Sequence, residues 1–249
     1  MRLFALSVTI ALLPQEPPAD AWFAWHGFGV GSRTVMRKSD IGGAEEEAKT
    51  YRRTLTAIEK GWPKIEIEVR AGKESEWDKV GTERVPYEGK SVAALGYTQK
   101  ELPKGEVTID GKSVAVTVSA WTKGDVTLTI TRAAGLELPL RDAQGPGGTV
   151  TLPADTVAWK FAGEGQTFER RVVATGQKRK VGDVDVSCIL EEGTVTQKAG
   201  DMIIKGKARI WSSAAVPGRK VRSESENDIN GKISGSIEEL VEFEAKAAK

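Results

Sequence analysis

Cysteine and histidine are almost missing from this chain: 249 residues hold one of each, Cys188 and His26. A single cysteine cannot close an internal disulfide, so stability has to come from a packed core. One cysteine and one histidine are also too few for a zinc site, and no acidic loop has the spacing of a calcium loop. An excess of either charge is missing too. Lys and Arg number 36 against 35 Asp and Glu, and that balance argues against a nucleic-acid partner, which would leave a basic stripe. No cofactor is expected, because the glycines of Gly145-Pro146-Gly147-Gly148 lack the lysine and the strand–loop–helix setting of a phosphate-binding loop. No Gly-x-Ser-x-Gly elbow occurs, and a catalytic triad would have to draw on His26 alone.

A transmembrane segment is not expected either. The marked apolar run, Leu3 to Leu13, follows Met1-Arg2 and ends at Pro14, well short of the roughly 20 helical residues that span a bilayer. With Ala19-Asp20-Ala21 behind it, the segment reads as a signal peptide, residues 1–21, cut before Trp22. The expected compartment is therefore outside the cytoplasm, periplasmic or extracellular. Lipid anchoring of the bacterial type needs a cysteine just after the apolar run, and Cys188 lies elsewhere.

What the chain does have is β-branched residues and turns. Val (23), Thr (20) and Ile (14) stand against 14 Leu, the balance of a pleated, half-buried surface. Ile65-Glu66-Ile67-Glu68-Val69 and Val114-Ala115-Val116-Thr117-Val118 alternate cleanly. Asp110-Gly111, Lys123-Gly124-Asp125, Gly145 to Gly148, Gly182-Asp183 and Asn230-Gly231 supply hairpin turns, and Gly61-Trp62-Pro63 reads as another. Pro217-Gly218 predicts a type II turn. Ala44 to Lys49 could form a helical turn, while Gly72 to Lys104 is too mixed to assign. The predicted fold is mainly β with little helix: a curved antiparallel sheet, an open barrel or a sandwich. A faint repeat divides the chain into an N-terminal half, 22–162, and a C-terminal half, 163–249, with Ala162-Gly163-Glu164-Gly165 as the boundary.

Candidate chemistry is sparse. Cys188, on the alternating face of Val184 and Val186, reads as a small buried hydrophobe. Asp183 with Asp185, or Glu191 with Glu192, could offer two carboxylates for glycoside hydrolysis, but 35 acidic residues produce such pairs by chance. Glu45 to Glu47 and Lys178 to Lys180 read as solvated faces, the basic run with a minor potential for anionic lipid or polysaccharide. Seven tryptophans exceed six Phe and three Tyr. Most serve as core fillers on this reading, leaving Trp121, Trp159 and Trp211 as weak candidates to line a ligand groove.

Gly31-Ser32, Val184 to Cys188, Trp211 to Arg222 and Leu240-Val241-Glu242-Phe243 together resemble a pattern of exported bacterial β-proteins of unknown function, common among planctomycetes. The resemblance is best from about Lys178 to Ala245. It implies a curved sheet distantly similar to the open barrels of periplasmic lipoprotein carriers, and no reaction. The leading expectation is a non-catalytic scaffold binding an apolar or amphipathic, lipid-like ligand or a partner protein. A structural or assembly component of the cell envelope is the alternative, and a carboxylate-based hydrolase a remote third.

Overall fold

The structure, a computed structural model, describes residues 25, 27–43, 47–59, 62–71, 75–84, 91–139, 141–145, 148–200 and 202–248. The signal segment 1–21, Trp22 and His26 lie outside these residues, as do Ala44 to Glu46 of the stretch read as a helical turn, whose last residue, Lys49, belongs to a strand.

Fifteen strands form two sheets, and every pairing is antiparallel. They are β1 (Arg33–Asp40), β2 (Lys49–Glu59), β3 (Trp62–Ala71), β4 (Asp78–Arg84), β5 (Thr98–Ile109), β6 (Lys112–Lys123), β7 (Val126–Arg132), β8 (Arg141–Gly145), β9 (Gly148–Leu152), β10 (Thr156–Gly163), β11 (Gln166–Val181), β12 (Val184–Ala199), β13 (Met202–Ser212), β14 (Lys220–Ile229) and β15 (Lys232–Glu244). Thirteen of them make one sheet in the order β4-β3-β2-β1-β15-β14-β13-β12-β11-β10-β7-β6-β5, and β8-β9 form a separate hairpin. The sheet does not close into a barrel, since β4 and β5 stand at its two ends. This is the curved antiparallel sheet that the turn spacing predicts, and the described residues contain a 3-10 turn at Ala93–Leu95 and no α-helix.

The turn chemistry explains the connections. At Asp110-Gly111 and Asn230-Gly231 both turn residues take positive φ (52° and 73°, 51° and 85°), as a type I′ hairpin requires. The Gly61-Trp62-Pro63 reading needs correction. Trp62 and Pro63 belong to β3, opposite Glu59 and Ile58, because a proline second in a strand loses few ladder bonds. The unassigned stretch from Gly72 to Lys104 contains β4 and the start of β5. Strands on either side of the Ala162–Gly165 boundary pair directly, Ala162 with Thr167.

One wing of the sheet curls back on itself. The Asp110 amide donates to the Val173 carbonyl at 3.0 Å, although β5 and β11 are four places apart in the sheet. Inside the curl, Ile109, Val116, Val157 and Val172 are buried with Ala133 and Leu138. The β8-β9 hairpin covers the neighbouring surface, where Ala143, Val150 and Leu152 pack on Leu128, Ile130, Trp159 and Phe161. The buried Arg141–Glu191 ion pair ties that hairpin to β12. At the other wing Trp25, from the aromatic lead, is buried on Leu55 and Ile65.

The middle of the sheet carries a ladder of charge. Register places Arg171 opposite Glu192, Glu192 opposite Arg209, and Arg209 opposite Glu224. It also sets Arg222 opposite Glu239 and Glu239 opposite Arg37. Ion pairs of 2.8 to 3.5 Å join Arg171–Glu192–Arg209 and Glu224–Arg222–Glu239–Arg37. Opposite charges directly across neighbouring strands support the pairing and fix its register.

Candidate functional site

A shallow open cleft of about 310 Å³ lies at one end of β11, β12 and β13. Its walls are Gly176 of β11, Ser187 to Ile189 of β12, and Ser212 to Ala215 at and after the end of β13, with Pro139 facing them. Every one of these side chains is small or apolar, and none carries a charge.

Local backbone chemistry builds the opening. Opposite Leu190 to Cys188 on β12, β11 runs from Ala174 to Gln177, so it holds one residue more than its partner. Gly176 sits in this bulge with φ +65°, a conformation that costs glycine little. Beside it the Thr175 amide and hydroxyl donate to the two Asp110 carboxylate oxygens at 2.9 and 2.6 Å. Those bonds hold the Asp110 carboxyl below its ordinary pKa, and they latch the β5-β6 turn to the lip of the cleft.

The far wall is the Ser213 to Arg219 loop. The Arg219 amide donates to the Val216 carbonyl at 2.8 Å across Pro217-Gly218, and Gly218 has φ +75°, the type II turn read from the sequence. The Ser213 amide donates to the Arg219 carbonyl at 2.8 Å, closing the loop at its base. Gly218 packs against the Trp25 indole, so the aromatic lead props the loop from outside.

Behind the cleft Trp211, Val216 and Cys188 share a cluster with Met36, Val186, Val221 and Leu240. The Arg179 guanidinium stacks 4.3 Å above the Trp211 ring centroid and that of Arg222 lies at 6.0 Å. Burial pushes the Cys188 thiol up to about 11, so it is protonated at neutral pH and a poor nucleophile. Its lining position supplies an apolar contact, in keeping with the reading of Cys188 as a small hydrophobe.

The other candidate residues fall elsewhere. Trp121 and Trp159 meet in the cluster under the β8-β9 hairpin, where Trp159 is buried and the Trp121 indole donates to the Ser119 hydroxyl at 3.1 Å. None of the three tryptophans lines the cleft; Trp211 is buried behind it. Glu191 and Glu192 are consecutive in β12 and so point to opposite faces. Glu191 binds Arg141, and Glu192 binds Arg171 and Arg209, so the two do not converge on a shared substrate position. The four carboxylates with displaced pKa values, Glu68, Asp110, Glu192 and Glu238, are all lowered, the reverse of a general acid.

Sequence reasoning missed Pro139, Gly176 and the Ser212 to Ala215 segment as one site. The bulge glycine is not flanked by any turn dipeptide, and its partners lie on four separate elements. No helix among the described residues is long and apolar enough to cross a membrane.

No family model matches this chain, and no curated protein matches it. Among solved structures it is similar to a candidate lipoprotein of Parabacteroides distasonis, at 10% identity and a TM-score of 0.39, covering 89% of this chain and 98% of that one. It is also similar to a candidate exported protein with a YmcC-like fold from Bacteroides fragilis, at 11% identity and a TM-score of 0.35, covering 87% and 98%. Both neighbours come from Bacteroidetes, and a planctomycete origin finds no support. Likenesses at these scores assign this chain neither a fold family nor a function.

Proposed function

We propose that this protein is an exported, non-catalytic β-scaffold whose cleft holds an apolar or amphipathic ligand. The observation that carries the reading is the lining: a neutral trough of Pro139, Gly176, Cys188, Ile189 and small residues, set on a rigid bulged sheet. Uncharged walls with a few hydroxyls favour a slender apolar body carrying a weakly polar group. None of the described lining residues carries a charge that could polarise a bond. Export rests on the signal-like segment 1–21, and the compartment is periplasmic or extracellular.

Native mass spectrometry of gently purified, exported protein tests this. A reproducible extra mass, lost on organic extraction and absent from Ala214→Trp, is the expected result. Ala214 is exposed at the lip, so the indole fills the cleft without entering the core. A clean apo mass overturns the carrier reading.

A second reading, an envelope assembly component, draws on the end strand β4. It contains no proline, and Val80 is exposed on it, features that invite strand addition. Light scattering that shows mass rising with concentration supports it, and a strict monomer rejects it.

A further inference from the structure

Five of the exposed large hydrophobic residues gather at one end of the sheet, on adjacent strands. Ile41 follows β1, Ile233 begins β15, Ile229 ends β14, and Met202 and Ile203 begin β13. Their exposures are 55%, 67%, 40%, 44% and 45%. Single exposed apolar residues are ordinary, but five at one end of four adjacent strands are not; Ile203 and Ile233 share one face there, and Met202 and Ile229 the other.

The group is held in place. The Ile203 amide donates to the Asn230 side-chain oxygen at 3.1 Å, which ties the β12-β13 hairpin to the β14-β15 turn. The Ile41 amide donates to the Gly235 carbonyl at 2.9 Å, and its side chain lies over Gly235. Met202 and Ile203 are neighbours in a strand and point to opposite faces, yet both are exposed. Both faces of the sheet are therefore uncovered at this end, which forms an apolar ridge.

Three lysines stand beside this ridge, with Asp40 next to Ile41. Lys198 stands opposite Ile203, Lys232 opposite Ile229, and Lys205 opposite Asp228. All three lysines are exposed and none forms an ion pair among the described residues. Asp228, the acid nearest them in register, accepts the Gly231 amide at 2.7 Å within its own turn. An uncovered apolar ridge with lysines beside it fits a deformable apolar layer beneath an anionic surface, since the stems of the lysines lie along the ridge while their heads reach outward.

We propose that this end of the sheet docks on an anionic phospholipid bilayer, with Ile203, Ile229 and Ile233 entering the interface and Lys198, Lys205 and Lys232 meeting the headgroups. The contact is peripheral and reversible, because a few apolar side chains bury far less area than a spanning segment.

Sedimentation with phosphatidylglycerol/phosphatidylethanolamine vesicles, compared with pure phosphatidylcholine vesicles, tests it on the exported protein. Wild type binds the anionic vesicles preferentially, and added salt weakens that binding. Ile203→Thr with Ile233→Thr lowers it about tenfold, the threonines keeping strand propensity and the thermal midpoint. Lys198→Gln, Lys205→Gln and Lys232→Gln together abolish the preference for phosphatidylglycerol. Failure of wild type to bind overturns the proposal, and so does binding unchanged in both variants, which would place the contact elsewhere. Mass that grows with concentration in lipid-free solution and disappears in the threonine variant also overturns it, in favour of a second copy on the ridge.

Discussion

The two ends of strands β12 and β13 are built on opposite principles. At the cleft end Trp211, Cys188, Val216 and Val221 are nearly out of solvent, and the chain leaves β13 through a closed loop propped by Trp25. At the other end, roughly 30 Å away at the rise of an extended strand, Met202, Ile203 and Ile229 stand in water beside lysines that form no ion pair among the described residues. One sheet thus carries a packed, bulged end with a neutral opening and an apolar end without a cover. Beside the packed end, the charge ladder from Arg171 to Arg37 supports the strand register. Burial at one end supports the fold, and exposure at the other is free to serve contact.

Substitution at each end should separate these roles. Trp211→Ala removes a 95% buried indole and two cation contacts, and is expected to cost about 3–5 kcal/mol in denaturant unfolding. Ile229→Ser at the ridge is expected to stay within about 0.5 kcal/mol. Comparable losses at both ends would erase the contrast.

The next effect in size is at the seam that holds the β8-β9 hairpin. Glu191→Gln leaves Arg141 buried without its counter-charge, and unfolding should show a loss of about 3 kcal/mol. Replacing both partners with apolar residues of similar volume should recover much of it. If the single substitution is neutral, the hairpin is held by Leu152 and Val150 alone.

Acid should loosen the cleft lip before the rest. Asp110 has a lower pKa folded than unfolded, because the Thr175 hydroxyl and amide bond its carboxylate. Its contribution is complete above the usual carboxylate range near pH 4 and disappears as pH falls through the folded value. The protection factor of the Thr175 amide, exchange corrected for its intrinsic pH dependence, should therefore fall on acidification in wild type. Asp110→Asn, which tolerates the same left-handed turn, should show a low protection factor that changes little with pH. The smallest effect belongs to the ladder: Glu192→Gln should cost about 1 kcal/mol or less and should fade with salt, since Arg171 and Arg209 are well exposed.

The hairpins were legible because their turns are local. Asn230-Gly231 and Asp110-Gly111 specify both bend and twist from two residues, and Val114 to Val118 shows its period within one strand. β4 was not, since Asp78-Lys79-Val80-Gly81-Thr82 lacks alternation and a bulge at Val80 breaks its register with β3. The ladder was invisible for another reason. Glu192 finds Arg171 and Arg209 only once three strands are set side by side, and no single-strand pattern encodes that. Cys188 could be placed as buried, yet the cleft beside it depends on the Gly176 bulge and on Pro139, which come together only in the folded chain.

Peptide-resolved hydrogen exchange on the exported protein, before and after organic extraction, tests the central claim of a ligand-holding cleft most directly. The account predicts that extraction quickens exchange at 187–189 and 212–215 and leaves 202–204 and 229–233 unchanged. Exchange at the cleft that is the same before and after extraction would contradict it.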